Sequence, residues 1–253
     1  MNNRLLITLA LCAGLIACAT TESKQPNNLE LPQASPADVY INLGVKYMEL
    51  GKLDIALGKL EKALQIDPQS REAHNAIAVL YEELKQTDLA RAHFNKAVQL
   101  RPSNSRAQNN YGRFLCAHKD YAAAERHFKK AYEAPLNQRP WIALTNAGSC
   151  ALLAGRMKQA EAFLRKALEL NSRFAPALRE MVKISFKQRN YLSSRAFLHR
   201  YELVSEHTPD TLWIGIQTEQ MLDDEKQVAR YKQMLGLKFP TSREAAQMWK
   251  GER

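Results

Sequence analysis

Residues 71–104 read REAHNAIAVLYEELKQTDLARAHFNKAVQLRPSN, and the next stretch of equal length, 105–138, reads SRAQNNYGRFLCAHKDYAAAERHFKKAYEAPLNQ. Laid one over the other, they keep small residues over small ones and large over large. Ala56, Ala90 and Ala124 recur at a spacing of 34, as do Ala63, Ala97 and Ala131. Asp67-Pro68 and Arg101-Pro102 keep the same step. After a two-residue insertion near Pro135–Pro140 the pattern resumes at Ala160 and Ala167.

A 34-residue period with these features is the tetratricopeptide signature, in which each unit is two antiparallel helices joined by a short turn. Counting places from Ala37, Arg71, Ser105 and Trp141, place 8 holds Gly44, Ala78, Gly112 and Gly148, and place 20 holds Ala56, Ala90, Ala124 and Ala160. Small residues at these two places let the paired backbones approach, while large residues at places 7, 11 and 24 fill the space beside them. Proline at place 32 ends the second helix, because it lacks an amide and clashes with the preceding turn. Two degenerate units follow, near 175–208 and 208–241, with Leu178, Met181, Leu198 and Tyr201 in one and Ile214, Gly215, Tyr231 and Met234 in the other. Terminal units deviate where one face meets solvent. The expected fold is therefore all-α, a right-handed superhelical solenoid of six tetratricopeptide repeats over residues 37–242, with 243–253 as a capping helix. Its concave face, lined by the first (A) helix of each repeat, is the expected binding surface.

The N-terminal segment sets the compartment. Residues 1–17 carry one cation, Arg4, and an apolar stretch from Leu5 to Leu15 that is too short for a stable membrane span, so they read as a secretion signal. The stretch ends Leu15-Ile16-Ala17-Cys18, which resembles the bacterial lipobox. That resemblance implies diacylglycerol on the Cys18 thiol, cleavage before it and N-acylation of the new amine. Ala19 in the next position implies sorting to the outer membrane, at its periplasmic face, and the only attachments expected are these covalent lipids. Residues 18–36 are polar and contain proline, and read as the lipidated cysteine and a flexible tether. The fold is expected to start at Ser35-Pro36-Ala37-Asp38, with serine as N-cap and proline in the first turn.

Composition narrows the function. The chain has 253 residues, a formal net charge of +10 and 45% hydrophobic residues, with ten Gly, ten Pro and four Cys, which excludes collagen-like and disulfide-scaffold proteins. Mean hydropathy is −0.42, and no internal apolar run is long enough to span a membrane. The positive charge alone suggests nucleic acid, but a secreted chain does not meet it, so acidic protein segments or anionic head groups are the expected counterparts. Metalloprotease, phosphate-loop and serine-hydrolase motifs are missing, and the six histidines are spread along the array, so neither catalytic nor metal-ligating residues are expected. In the mature chain two thiols remain, Cys116 and Cys150, on the A helices of consecutive repeats. They are either a disulfide, as an oxidising compartment favours, or a pair of buried thiols packing as small hydrophobes. Groove-facing places hold Asn75 and Val79 in the second repeat, Arg106, Asn109, Asn110 and Arg113 in the third, Asn146 in the fourth, and Arg179 and Lys183 in the fifth. An asparagine side chain can pair with the amide and carbonyl of an extended peptide, and arginine forks suit carboxylates.

The run Asn109-Asn110-Tyr111-Gly112-Arg113-Phe114-Leu115-Cys116, followed by Asn146-Ala147-Gly148-Ser149-Cys150, resembles the PilF/PilW family of type IV pilus biogenesis lipoproteins. The lipobox, the six-repeat count, Tyr191, Arg195-Ala196, Leu212-Trp213 and Phe239-Pro240-Thr241-Ser242 fit the same family. The resemblance covers essentially the whole chain. It implies a non-enzymatic pilotin that helps the outer-membrane secretin of the pilus system reach its membrane and assemble, or that stabilises fibres with other pilus assembly proteins. It also implies a Cys116–Cys150 bridge. One departure is Lys85, Lys119 and Arg189 at the turn place that Gly51 and Gly155 occupy elsewhere. A general periplasmic scaffold, serving cell-wall hydrolases or outer-membrane protein assembly, is the alternative that the repeats themselves allow.

Overall fold

The computed structural model describes residues 35–250. The expected signal segment, the lipidated Cys18 and nearly all of the tether lie outside the described residues. Thirteen helices follow in chain order, and among the described residues there is no strand. Helices α1 (Pro36–Glu49) and α2 (Leu53–Ile66) form the first hairpin, α3 (Arg71–Glu83) and α4 (Thr87–Leu100) the second, and α5 (Ser105–Ala117) and α6 (Tyr121–Tyr132) the third. The fourth is α7 (Pro140–Leu153) with α8 (Met157–Leu170), and the fifth α9 (Ala175–Lys187) with α10 (Tyr191–Glu202). Helices α11 (Pro209–Gln220) and α12 (Glu225–Lys238) make the sixth, and α13 (Arg243–Lys250) closes the array.

The start is set by a capping box. Ser35 Oγ accepts from the Asp38 amide and the Asp38 carboxylate accepts from the Ser35 amide, satisfying two amides that the first turn cannot. In five of the six hairpins the two helices are held close by a small residue at place 8, glycine or Ala78, and the fifth carries Val182 there. A Cβ added at Gly44 would stand 2.5 Å from Leu60 Cγ and 3.3 Å from the Ala56 carbonyl oxygen. At Gly148 the same atoms belong to Leu164 and Ala160, at 2.7 and 3.2 Å. The side chain lying over the glycine is therefore the one at place 24, and the alanine at place 20 contributes its backbone rather than its methyl group. The buried side chains continue from repeat to repeat as one column, with Tyr81 and Phe163 each packing against two successive clusters.

The six inter-helix turns share one backbone solution. In the first, the Gly51 amide donates to Met48 O and the Lys52 amide to Tyr47 O, both at 2.9 Å, which is a Schellman motif around a left-handed residue. Gly51 and Gly155 adopt φ of 69° and 74°, and Lys85, Lys119 and Arg189 are forced to 62°, 64° and 59°. Asp223 takes the position in the last hairpin, at 54°.

The degenerate repeats depart from the pattern at an internal junction as well as at the solvent-facing end. At the contact of repeats five and six, Ser194 Oγ lies 3.0 Å from Thr218 Oγ1. The carboxylate of Glu219, only 1% exposed, takes hydrogen bonds from Arg195 Nε at 2.8 and 3.1 Å. Arg195 also reaches Asp224 at 3.3 Å. An ion pair and a hydroxyl pair join the two repeats there, and Glu219 holds Arg195 further above its usual range.

Four histidines are built into the packing as neutral rings. His74 Nε2 faces the Pro68 carbonyl at 3.3 Å, so that nitrogen carries the proton and His74 Nδ1 accepts from His93 Nδ1 at 3.0 Å. One repeat on, Gln108 takes the place of His74. Its amide donates to Pro102 O at 2.9 Å while its oxygen accepts from His127 Nδ1 at 2.6 Å. Burial lowers the affinity of His74, His93 and His207 for a second proton, and it pushes His127 down to about 4, helped by Lys130 and Arg126.

Two outcomes follow for stability. Replacing Lys119 by glycine relieves a left-handed lysine and raises unfolding free energy by about 0.5–1 kcal/mol in urea denaturation, with Lys85→Gly and Arg189→Gly adding similar increments. Because the histidine pKa values are depressed in the fold, the unfolded chain binds more protons below about 6.5, and stability rises with pH through the window from about 4, the folded value of His127, to about 6.5. Urea midpoints fall on acidification across that window, and the fall is smaller in His127→Gln.

Candidate functional site

The backbones of successive A helices approach one another along the whole array, α1 with α3, α3 with α5, and onward to α11 with α13, whereas successive B helices meet only through longer side chains, as Gln159 on α8 does with Glu125 on α6 and Arg230 on α12 with Glu202 on α10. A row of helices in contact on one side and separated on the other curves toward the contacting side. The concave face is therefore lined by A helices.

Asparagines cross-link that face. Asn110 Nδ2 donates to Asn75 Oδ1 at 3.2 Å, and Asn146 Nδ2 donates to Asn109 Oδ1 at 2.8 Å. In both pairs place 5 of one repeat accepts from place 6 of the next, so the four asparagines staple three consecutive A helices. Each bond spends one amide proton and one lone pair, and leaves the donor's own carbonyl oxygen and the acceptor's own amide group for a visiting backbone. The sequence expectation treated these residues as independent contacts. They are half-buried and mutually oriented, which fixes the direction in which their remaining groups point.

The remaining expected groove residues divide. Arg106 and Arg113 are exposed. Val79 packs against the core cluster of repeats two to four, so it supports the face rather than presenting itself on it. Arg179 and Lys183 are already engaged. Arg179 Nε lies 3.8 Å from Glu180, and Lys183 Nζ lies 3.1 Å from Glu180 and 3.3 Å from Asp210. Lys183 and Arg179 also hold the Asp210 carboxyl below its usual range against the effect of burial, with Thr208 as a hydrogen-bond donor. These two cations act between α9 and α11 before any partner arrives.

Three adjoining clefts open along the face and its rim. One of 290 Å³ lies on the groove floor between Ile41, Asn42, Asn75 and Arg106. The others, of 640 and 440 Å³, lie at the rim around the N-terminal ends of α3, α5 and α7, and share Ser105, Arg106 and Leu136. Arg106 lines all three. Sequence reasoning missed Arg71, Arg101, Leu136 and Arg139 here. The two-residue insertion after Pro135 was the signal, because it changes the turn that these side chains surround.

Cys116 and Cys150 are joined, with Cα atoms 5.9 Å apart and 34 residues enclosed. The bridge ties α5 to α7, the same two helices that Asn109 and Asn146 connect. Among the described residues no three His, Cys, Asp or Glu side chains gather as a metal site. No helix among them is long and apolar enough to cross a membrane.

A family model described as tetratricopeptide repeat matches residues 41–105, 86–139 and 117–176. The chain is a tetratricopeptide-repeat protein. It is 29% identical over 244 residues to the type IV pilus assembly protein PilF of Pseudomonas aeruginosa, covering 96% of this chain and 97% of that one. The solved structure of Pseudomonas aeruginosa PilF superposes with a TM-score of 0.77 at 30% identity, over 86% of this chain and 97% of that one. The crystal structure of PilW, a widely conserved type IV pilus biogenesis factor, gives a TM-score of 0.76 at 27% identity, over 84% and 98% of the two chains. Within the tetratricopeptide-repeat proteins, this chain belongs to the PilF/PilW family of type IV pilus biogenesis factors.

The bridge has a measurable contribution. Removing it in the double variant Cys116→Ala/Cys150→Ala lowers unfolding free energy by about 3–4 kcal/mol on the chain-entropy account, with helical circular dichroism retained. Urea denaturation of the two proteins side by side measures the difference.

Proposed function

We propose that this protein is an outer-membrane lipoprotein of the type IV pilus system, anchored through acyl chains on Cys18. In this reading it acts as a pilotin, bringing the pilus secretin to the outer membrane and promoting its assembly into a multimer, or stabilising the assembled fibre. The observation that carries the reading is the end-to-end match with PilF and PilW, which spans the repeat array and leaves no part of either relative unaccounted for beyond a few per cent. The concave face supplies the chemistry. Oriented asparagine amides suit an extended backbone, and the free guanidinium groups at its rim suit carboxylates. Nothing in this role requires bond-making by the protein. Holding one end at the membrane raises the local concentration of whatever the groove binds, and this concentration effect is what assembly needs.

Two substitutions separate the anchor from the groove. Cys18→Ser removes the acylation site and abolishes both outer-membrane fractionation and heat-resistant secretin multimers. Ala19→Asp keeps the lipid, redirects it to the inner membrane and strands the secretin there. Normal multimers and normal piliation in a Cys18→Ser strain would falsify the proposal, and co-purification with cell-wall hydrolases instead of the secretin would favour a general scaffold.

A further inference from the structure

The turn between α6 and α7 is where the array departs from its own repeat. At place 32, where the first two repeats carry Pro68 and Pro102, the third carries Leu136, followed by the two inserted residues. Leu136 is 86% exposed, the highest value among the described large apolar side chains. It is not on a loose loop. The Asn137 amide donates to Ala134 O at 2.9 Å, Asn137 Nδ2 donates to Ala131 O at 2.8 Å, and the Arg139 amide donates to Asn137 Oδ1 at 2.9 Å. Hydrogen bonds on both sides of Leu136 hold its backbone while its side chain projects into solvent.

Around it lie cations without partners. Arg101, Arg106 and Arg139 line the two rim clefts and form no ion pair among the described residues. The one carboxylate there, Glu72, is 2.8 Å from Arg71 Nε. Three unpaired guanidinium groups around a fixed aliphatic side chain are electrostatically incomplete, and the two clefts give 640 and 440 Å³ in which to complete them. The rim continues into the asparagine-lined groove through Arg106 and Asn109. A flat bilayer does not reach into such a concave edge, whereas a peptide does.

We infer that the rim built by this insertion is a docking site for a partner segment in which carboxylates flank an aliphatic residue. The aliphatic side chain packs on Leu136, and the carboxylates take Arg106, Arg139 and Arg101. The segment then runs on into the groove over the asparagine pairs. This inference rests on the protein-binding role proposed above and adds the chemistry of what is bound and the place where binding begins.

The test uses the full chain and two short synthetic peptides, one with Asp and Glu flanking paired leucines and one with Lys in place of every acid, followed by fluorescence anisotropy. The acidic peptide binds and the lysine peptide does not. Binding weakens about tenfold or more in Arg106→Glu/Arg139→Glu and more modestly in Leu136→Asp, with circular dichroism unchanged in both. Equal binding of the two peptides, or indifference to these substitutions, overturns the inference. So does loss of binding to added phosphate beyond that caused by chloride of equal ionic strength, because the arginines are then a phosphate site. Secretin multimers in cells expressing the double variant report separately on the pilotin reading. Peptide binding lost with multimers intact leaves the rim site standing and detaches it from the secretin. Peptide binding unaffected with Cys18→Ser still abolishing multimers removes the rim site and leaves the pilotin role.

Discussion

Everything in this array depends on how closely two helices can lie side by side. At Gly44, Gly112, Gly148 and Gly215 the A helix presents bare backbone, and the place-24 side chain of the B helix, Leu60, Phe128, Leu164 or Tyr231, lies directly over it. That contact fixes the hairpin. Once the hairpin is fixed, the faces that remain apolar can be covered only by the next hairpin, and stacking follows. Curvature follows in turn, because A helices so placed bring their backbones against their counterparts in neighbouring repeats while B helices reach theirs only through long side chains. A binding face on the inside of the curve is thus a geometric product of small residues far from it in chemistry.

Much of this was legible in the sequence, and the parts that were not have physical reasons. The spacing of Ala56, Ala90 and Ala124 is a property of the chain alone, so the hairpins and their number could be read directly. The capping box at Ser35 and Asp38 is equally local. What opposes Gly44 is not local, and the expectation of alanine facing glycine missed that the alanine offers its carbonyl and the leucine its side chain. The groove residues were harder still. Place numbers locate a side chain on a helix face but do not reveal that Asn75 and Asn109 are already bonded to the next repeat, or that Lys183 is shared between Glu180 and Asp210. The rim around Leu136 was visible as an insertion but not as a site, because its arginines come from two repeats and from the insertion itself.

The positive charge takes on a different meaning once distributed. Part of it is spent internally, as with Arg195 on Glu219 and Asp224, Arg156 on Glu125, and Lys183 on Glu180 and Asp210. Part sits on the rim with no counter-charge. A total of +10 describes neither population. On the docking inferred above, this second population is what distinguishes an acidic segment from a basic one.

The cross-links between A helices are unevenly spaced along the inner edge. Repeats two and three are joined by Asn75 and Asn110, repeats three and four by Asn109, Asn146 and the disulfide, and repeats five and six by Lys183 and Asp210. Between repeats one and two, and between four and five, adjacent A helices meet without such bonds among the described side chains. The inner edge of repeats two to four is thus bonded across both of its junctions, while the junctions on either side of that block rest on the apolar clusters that span them.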